Sequence, residues 1–253
     1  MARIRQSTTG TFEDLSFRST CLIFVEEGVK RVVSGGAEVL VGEPGDVLVF
    51  TGNATATITN RVVEAEIYSA TVIAYPDSVI AAVFGPVPPS PPVQLVSSAD
   101  SRVFSALEPA WEAWRADLPP AVLDHRLVEP LQWLAAEGRV IGPRAPGPAE
   151  QIRTLIETDL SHPWRAEDAA RHLAMSEATL RRHLSRSGHT FSRLLTTTRL
   201  ERGLALLQTT ELPISEVGSM CGFATPSHFS EAFKARFGLP PSGIRARAMD
   251  DIL

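Results

Sequence analysis

Six arginines, Arg181, Arg182, Arg186, Arg193, Arg199 and Arg202, fall within 22 consecutive positions of this 253-residue chain. A guanidinium group can grip phosphate or, aimed at a base edge, donate two hydrogen bonds to guanine. The run holding the first three, AEDAARHLAMSEATLRRHLSRS (166–187), reads as a short helix, a tight turn and a second helix. Ala169, Ala170 and Leu173 would pack the first helix, and Ser176 is placed to cap the second. Leu180 and Leu184 recur at i, i+4 on the inner side of that second helix. The opposite face carries Ala178, Arg181, Arg182, Ser185 and Arg186. A polar helix propped on an apolar one across a tight turn can set its N-terminal half into a major groove. Taken alone, paired arginines are more commonly surface salt-bridge residues; the helix pair around them is what gives these two weight.

The pattern recurs at 214–237, ISEVGSMCGFATPSHFSEAFKARF. Ile214 and Val217 face inward, Gly222 can supply a left-handed turn, Phe223 plugs the core and Thr225 caps. Phe229, Phe233 and Phe237 form a stripe at every fourth residue, leaving Pro226, Ser227, Ser230, Glu231 and Lys234 outward. Between the two units, FSRLLTTTRLERGLALLQTT predicts a helix over 191–208, about 27 Å long. Such a spacer can hold two recognition helices near one DNA turn, about 34 Å.

The elements that must position these groups change character along the chain. Up to about residue 80, CLIFVEEG, RVVSGGAEVLVG, DVLVF, ATATIT and AEIYSATVIAY read as short strands separated by Gly, Pro or Asn, which suits an antiparallel sandwich or barrel. GPVPPSPP (85–92), with five prolines, is a stiff connector. Apolar spacing then predicts amphipathic helices over 100–116 and 121–137, and GRVIGPRAPGPAE (138–150) reads as a domain boundary. Beyond it the pattern is helical throughout: 150–160, 166–174, 177–187, 191–208, 214–221, 227–237 and a last turn near 241–247. Charge follows the same division. Residues 1–150 hold 11 Lys+Arg against 18 Asp+Glu, a balance of −7, whereas 151–253 hold 13 against 11, a balance of +2.

With these residues in place, 164–245 resembles the DNA-binding domain of the arabinose-regulator (AraC/XylS) family of bacterial transcription factors. The resemblance rests on Ala169–Ala170, MSEATLRRHL, Gly188, Phe191, RLERGLALL, Ile214 and above all GFATPSHFSEAFKARFGLPPSGIR. It implies base contacts from Ala178, Arg181 and Arg182 in the first unit and from Pro226, Ser227 and Glu231 in the second, with phosphate contacts from Thr225, Ser230 or Lys234. Pro226 and Glu231 depart from strongly polar members, which implies a looser second readout that leans on DNA shape. The first half is similar, on its strand run and on GEPGDVLVF (42–50), to the cupin-like effector domains of that family. The fold class expected is thus α+β in two domains: a cupin-like (jelly-roll) effector domain over 1–92, a helical linker or dimerisation element over 93–138, and an all-α double helix-turn-helix domain over 149–249. The resemblance also implies double-stranded DNA as partner, RNA polymerase as a second one if the protein activates, a small organic effector, a homodimer, and a bacterial cytoplasmic, nucleoid-associated location.

Other chemistry finds little support. The histidines begin only at His125, so the strand region offers no histidine ligands for a cupin metal; neither a metal, a cofactor nor a catalytic residue is expected. Cys21 and Cys221 are 200 positions apart and read as buried packing residues. Trp111 and Trp114 suit a core or a dimer interface. The chain has two lysines, and Lys30 stands beside Arg31 near a predicted strand start. There the pair could meet an acidic effector, or be a solvated strand end, the commoner state of charged residues. No run of eighteen apolar residues predicts a membrane span. Two rival readings remain: a cupin-type isomerase or dioxygenase with a helical appendage, and an adaptor whose helical domain binds protein.

Overall fold

The run TCLIFV is buried at every position, because both faces of the strand it forms are covered. The computed structural model describes residues 1–35, 39–63, 67–186 and 188–244, and these divide into two compact units, Met1–Arg144 and the residues from Ala145 onward. In the first unit, nine strands build two antiparallel sheets. They are β1 (Ala2–Gln6), β2 (Gly10–Phe17), β3 (Thr20–Glu27), β4 (Val29–Val33), β5 (Leu40–Gly42), β6 (Val47–Phe50), β7 (Ala54–Arg61), β8 (Tyr68–Tyr75) and β9 (Val93–Val96). One sheet runs β1-β8-β3-β6-β9, the other β2-β7-β4-β5. Between them lie Cys21, Ile23, Val25, Val32, Phe50, Ile58 and Tyr68. Residues on the other side of the larger sheet, among them Leu22, Phe24, Ile73 and Tyr75, meet three helices: α1 (Asp77–Phe84), α2 (Leu107–Arg115) and α3 (Pro120–Ala136).

Several expectations are revised here. RVVSGGAEVLVG is two strands, β4 and β5, paired with Lys30 opposite Gly42; its residues 36–38, and residues 65–66 of AEIYSATVIAY, lie outside the described residues. Strands β1 and β2 and helix α1 had no counterpart in the sequence reading. Residues 93–138 fold with the strands: β9 pairs with β6, so the boundary at 92/93 falls inside a unit and the division lies at 144/145. The helix expected from 100 begins as a 3-10 turn at Val103–Ala106. It is pinned to the sheet by Trp111, whose Nε1 donates to Thr71 Oγ1 at 3.0 Å, while the Tyr75 hydroxyl donates to the Leu127 carbonyl of α3 at 2.9 Å. Trp111 is therefore core, and Trp114 is exposed. The Pro-Gly-Asp turn has a structural task. Asp46 accepts hydrogen bonds from the backbone N–H of Glu43 at 3.0 Å and of Ser98 at 2.9 Å.

The second unit contains α4 (Pro148–Thr158), α5 (Ala166–His172), α6 (Glu177–Arg186), α7 (Phe191–Thr209), α8 (Ile214–Met220) and α9 (Pro226–Phe237). Every helix end falls within two residues of its sequence-based position, because breakers and caps mark them: Thr190 accepts from the Arg193 N–H, and Gly238 closes α9 in the left-handed region. A 3-10 turn follows at Pro241–Gly243. The rest of the turn expected over 241–247, and the domain end at 249, lie beyond residue 244 and outside the described residues. No described helix is long and apolar enough to cross a membrane.

Candidate nucleic-acid interface

Helices α5 and α6 form one helix-turn-helix unit, α8 and α9 the other, with the 19-residue α7 between them. The first pair is held by Ala169, Ala170, Leu180, Leu184 and Leu194, all buried with Ile152 and Ile156 of α4. The second is held by aromatic contacts along α9: Phe223–Phe229 at 5.3 Å, Phe229–Phe233 at 5.5 Å and Phe233–Phe237 at 4.7 Å between ring centroids. Its neighbours approach closely. A Cβ at Gly203 of α7 would stand 2.8 Å from the Phe229 ring, and one at Gly218 of α8 would stand 3.1 Å from Phe229 Cβ.

Both turns use the same device. After a seven-residue first helix, Ala174 (φ 52°) and Gly222 (φ 77°) occupy the left-handed region two residues past the helix end. Glycine suits this conformation and alanine does not. At Gly222 a side chain is excluded twice over, since a Cβ would lie 2.2 Å from the Leu160 carbonyl. The recognition helices are then capped in parallel fashion. Ser176 Oγ accepts from the Thr179 N–H and Thr225 Oγ1 from the His228 N–H, each at 3.2 Å.

This packing leaves one face of each second helix bare. Ala178, Arg181, Arg182, Ser185 and Arg186 on α6 are all exposed, as are Thr225, Pro226, Ser227, Glu231 and Lys234 at α9; Ser230 is half-buried. Among the described residues Arg181 and Arg186 pair with no carboxylate, and Arg182 donates only to Thr179 Oγ1, at 3.2 Å. A groove of about 620 Å³ borders Ala178, Arg181 and Ser185 and is closed by Thr190 and Phe191 at the start of α7.

The arginine run is not one surface, however. Arg199 turns inward: Nε donates to the Leu160 carbonyl at 2.9 Å and Nη2 to the His162 carbonyl at 3.0 Å. Partial burial lowers its affinity for the proton, with no effect on its charge at neutral pH. It ties α7 to the loop after α4, the loop whose Leu160 carbonyl crowds Gly222. That loop is shaped by Asp159, whose carboxylate takes the Ser161 hydroxyl at 2.6 Å and is thereby held below the usual carboxylate range. Arg153 of α4, absent from the sequence reading, makes a buried ion pair with Glu201 of α7 at 2.9 Å. Cys221 is buried beside this junction, and burial pushes its thiol up to about 11.

In the sandwich the expected Lys30/Arg31 pair is split. Strand alternation sends Arg31 to solvent and Lys30 inward, where it is 2% exposed. A solvated strand end therefore describes Arg31 alone. The Lys30 Nζ donates to Asn60 Oδ1, directly across the β4–β7 ladder, at 2.6 Å. Missed by sequence reasoning were its companions, Asn60, Gln6 and Tyr68, which come from three other strands.

Two helix pairs of matched geometry, joined by one helix and each presenting a bare polar face, define a double helix-turn-helix domain. Residues 169–247 match a family model described as a helix-turn-helix domain. The C-terminal unit is a helix-turn-helix domain. The chain is similar to the urease operon transcriptional activator of Escherichia coli, 30% identical over 99 residues, which are 39% of this chain and 33% of that protein. It is similar to the transcriptional regulator SirC of Salmonella typhimurium, 34% identical over 92 residues, 36% of this chain and 31% of that protein. Each alignment thus spans about a third of the relative's length. The fold of the whole chain is shared with ToxT from Vibrio cholerae (TM-score 0.67, 18% identity, 95% of this chain and 94% of that one). The same protein has been solved bound to (E)-4-(8-methylnaphthalen-1-yl)but-3-enoic acid (TM-score 0.68, 17% identity, 95% and 96% covered).

Proposed function

We propose that this chain is a sequence-specific DNA-binding transcription regulator, not an enzyme, controlled by an organic acid bound in its β-sandwich. The observation that carries the DNA-binding part is the exposed α6 face with Arg181 and Arg186 unpaired by any described carboxylate, on a helix whose other face is locked by Leu180 and Leu184. On this reading Ala178, Arg181 and Arg182 meet base edges and Ser185 and Arg186 meet phosphate. At α9, Pro226, Ser227 and Glu231 face the bases, Glu231 accepting from a cytosine amine. Thr225, Ser230 and Lys234 hold the backbone; the Thr225 oxygen is occupied as a cap, so its O–H is the part left to donate.

The effector part rests on Lys30, an inward cation-forming group among Asn60, Gln6 and Tyr68. The carboxylic acid carried by the ToxT structure supports an acid as the ligand class. Arg31, on the outer face, takes no part. The reading also entails cytoplasmic action on the nucleoid, RNA polymerase as partner of an activator, and a homodimer through the α2–α3 hairpin, where Trp114, Leu118 and Val122 are exposed.

The test is an anisotropy titration of the full chain against a random-sequence duplex of about 30 base pairs across a salt series. Log affinity is expected to fall linearly with log salt, with a slope of about −0.9 per phosphate contact. Folded protein that binds no duplex at about 50 mM salt, a condition that favours phosphate contacts, would contradict the reading.

A further inference from the structure

Lys30 sits in an environment that does not suit a charge. It spans the space between the sheets and is 2% exposed. Its amine donates to Asn60 Oδ1 at 2.6 Å and lies 5.0 Å from the centre of the Tyr68 ring. Asn60 Nδ2 donates in turn to Gln6 Oε1 at 3.2 Å. Among the described residues the buried Tyr68 hydroxyl makes no hydrogen bond. The titratable groups facing the amine are the Cys21 thiol of β3 and the Tyr68 phenol of β8, while Asn60 of β7 and Gln6 of β1 are neutral. Among the described residues no carboxylate pairs with it.

An ammonium has three donors, and here one neutral acceptor meets it; a buried cation so placed is costly and sheds its proton. Burial accordingly brings Lys30 down to about 7. The same burial pushes the Cys21 thiol up to about 12 and the Tyr68 phenol upward as well, so neither supplies a negative charge near neutrality.

We propose that Lys30 is a proton switch for the effector site: an uncharged amine in the protein without effector, and an ammonium once an organic monoanion lies beside it. The inference rests on the effector being placed at Lys30. The amine takes its proton from solvent as the anion enters, so the two events are reciprocal: lower pH strengthens the anion's hold, and the anion raises proton affinity by the same factor. The Tyr68 hydroxyl is the second donor available to the anion.

The chain's two lysines make the switch directly observable, since Lys234 is exposed on α9 and serves as an internal reference. Protein labelled at lysine ¹³Cε gives one signal for each. Lys30→Met, of similar length and apolar, removes one of them, and Lys234→Arg assigns the pair independently. Expected is a Lys30 signal that titrates near 7. Saturating octanoate should move the Lys30 midpoint up by about one pH unit or more, with octanoate binding roughly five- to tenfold tighter on going from pH 8 to pH 6. A Lys30 signal that remains that of an ammonium up to the ordinary lysine range, about 10.4, overturns the switch and leaves the DNA-binding reading intact. So does octanoate that binds without moving the Lys30 midpoint, or that binds Lys30→Met equally well. Absence of octanoate binding at either pH overturns the placement of the effector itself, and the switch with it.

Discussion

The arginines of the helical unit divide by what their guanidinium groups hold. Arg153 is spent on Glu201 and Arg199 on two carbonyls, whereas Arg181 and Arg186 reach no described carboxylate. Replacing Arg181 with alanine should therefore leave thermal stability unchanged and weaken binding to a specific site by about 1–3 kcal/mol, read by anisotropy. Arg199→Ala should do the opposite first, destabilising the fold by about 1–3 kcal/mol through two abandoned carbonyls, as denaturant unfolding will report. The sequence placed all six arginines in one bunch because spacing reports which face of a helix a residue takes. It does not report that a carbonyl 39 residues away will occupy Arg199. Legible, by contrast, were the caps Ser176 and Thr225 and the turn glycine Gly222, whose residue types each have one local use. The unforeseen partner of Gly222 is Ala174, an alanine in the left-handed region. Ala174→Gly should stabilise the protein by up to about 1 kcal/mol, the relief of left-handed strain exceeding the added chain entropy; unchanged or lower unfolding free energy would deny that strain.

At the scale of elements, the helices were readable and part of the sandwich was not, for reasons visible in their residues. Helices α4 to α9 carry strong three-and-four spacing with breakers between them. Strand β1, ARIRQ, alternates arginine with apolar residues at a sheet edge and resembles a basic tail. Strand β2 contains a bulge between Phe12 and Leu15, with Asp14 at positive φ, which interrupts its period. Helix α1, DSVIAAVF, is a short apolar run of the kind that periodicity does not separate from a strand. Strand β9 follows five prolines, and its pairing with β6 spans more than forty residues of sequence. In the second unit, the junction of α7, α8 and α9 centres on Phe229, buried against Gly203 and Gly218. Phe229→Ala should cost about 3–5 kcal/mol. Gly203→Ala, which adds only a methyl group, should cost about 1–3 kcal/mol because the ring must shift. Both are measured by chemical denaturation, and a neutral Gly203→Ala would mean that α9 is not fixed by this contact.

For the whole molecule, a net charge of −5 conceals an acidic sandwich and a slightly basic helical unit, and the pH behaviour of the two should differ. Because the folded-state proton affinity of Lys30 lies below its unfolded value, the unfolded chain binds the extra proton between the two. Stability from this group is lowest below about 7 and rises with pH above it, at no more than about 1.4 kcal/mol per unit. The raised thiols of Cys21 and Cys221 act in the opposite sense above their ordinary value of 9.0, where the unfolded chain releases protons that the folded chain retains. The window in which Lys30 acts without the thiols thus runs from about 7 to 9, and the Met1 amino group, lowered by burial from its ordinary 8.0, contributes there alike in the parent and in Lys30→Met. Across it the unfolding free energy should rise in the parent protein relative to Lys30→Met, and parallel curves would refute the buried amine.

Whether α6 and α9 together read DNA is tested by selecting bound duplexes from a random pool, with the Arg181→Ala/Arg182→Ala protein run in parallel. Helix α7, about 28 Å long, sets the spacing between the two recognition helices. Expected is a bipartite motif with half-elements about one helical turn, roughly 10 base pairs, apart, and loss of the half read by α6 in the double variant. An enriched motif that the folded double variant recovers unchanged would contradict it.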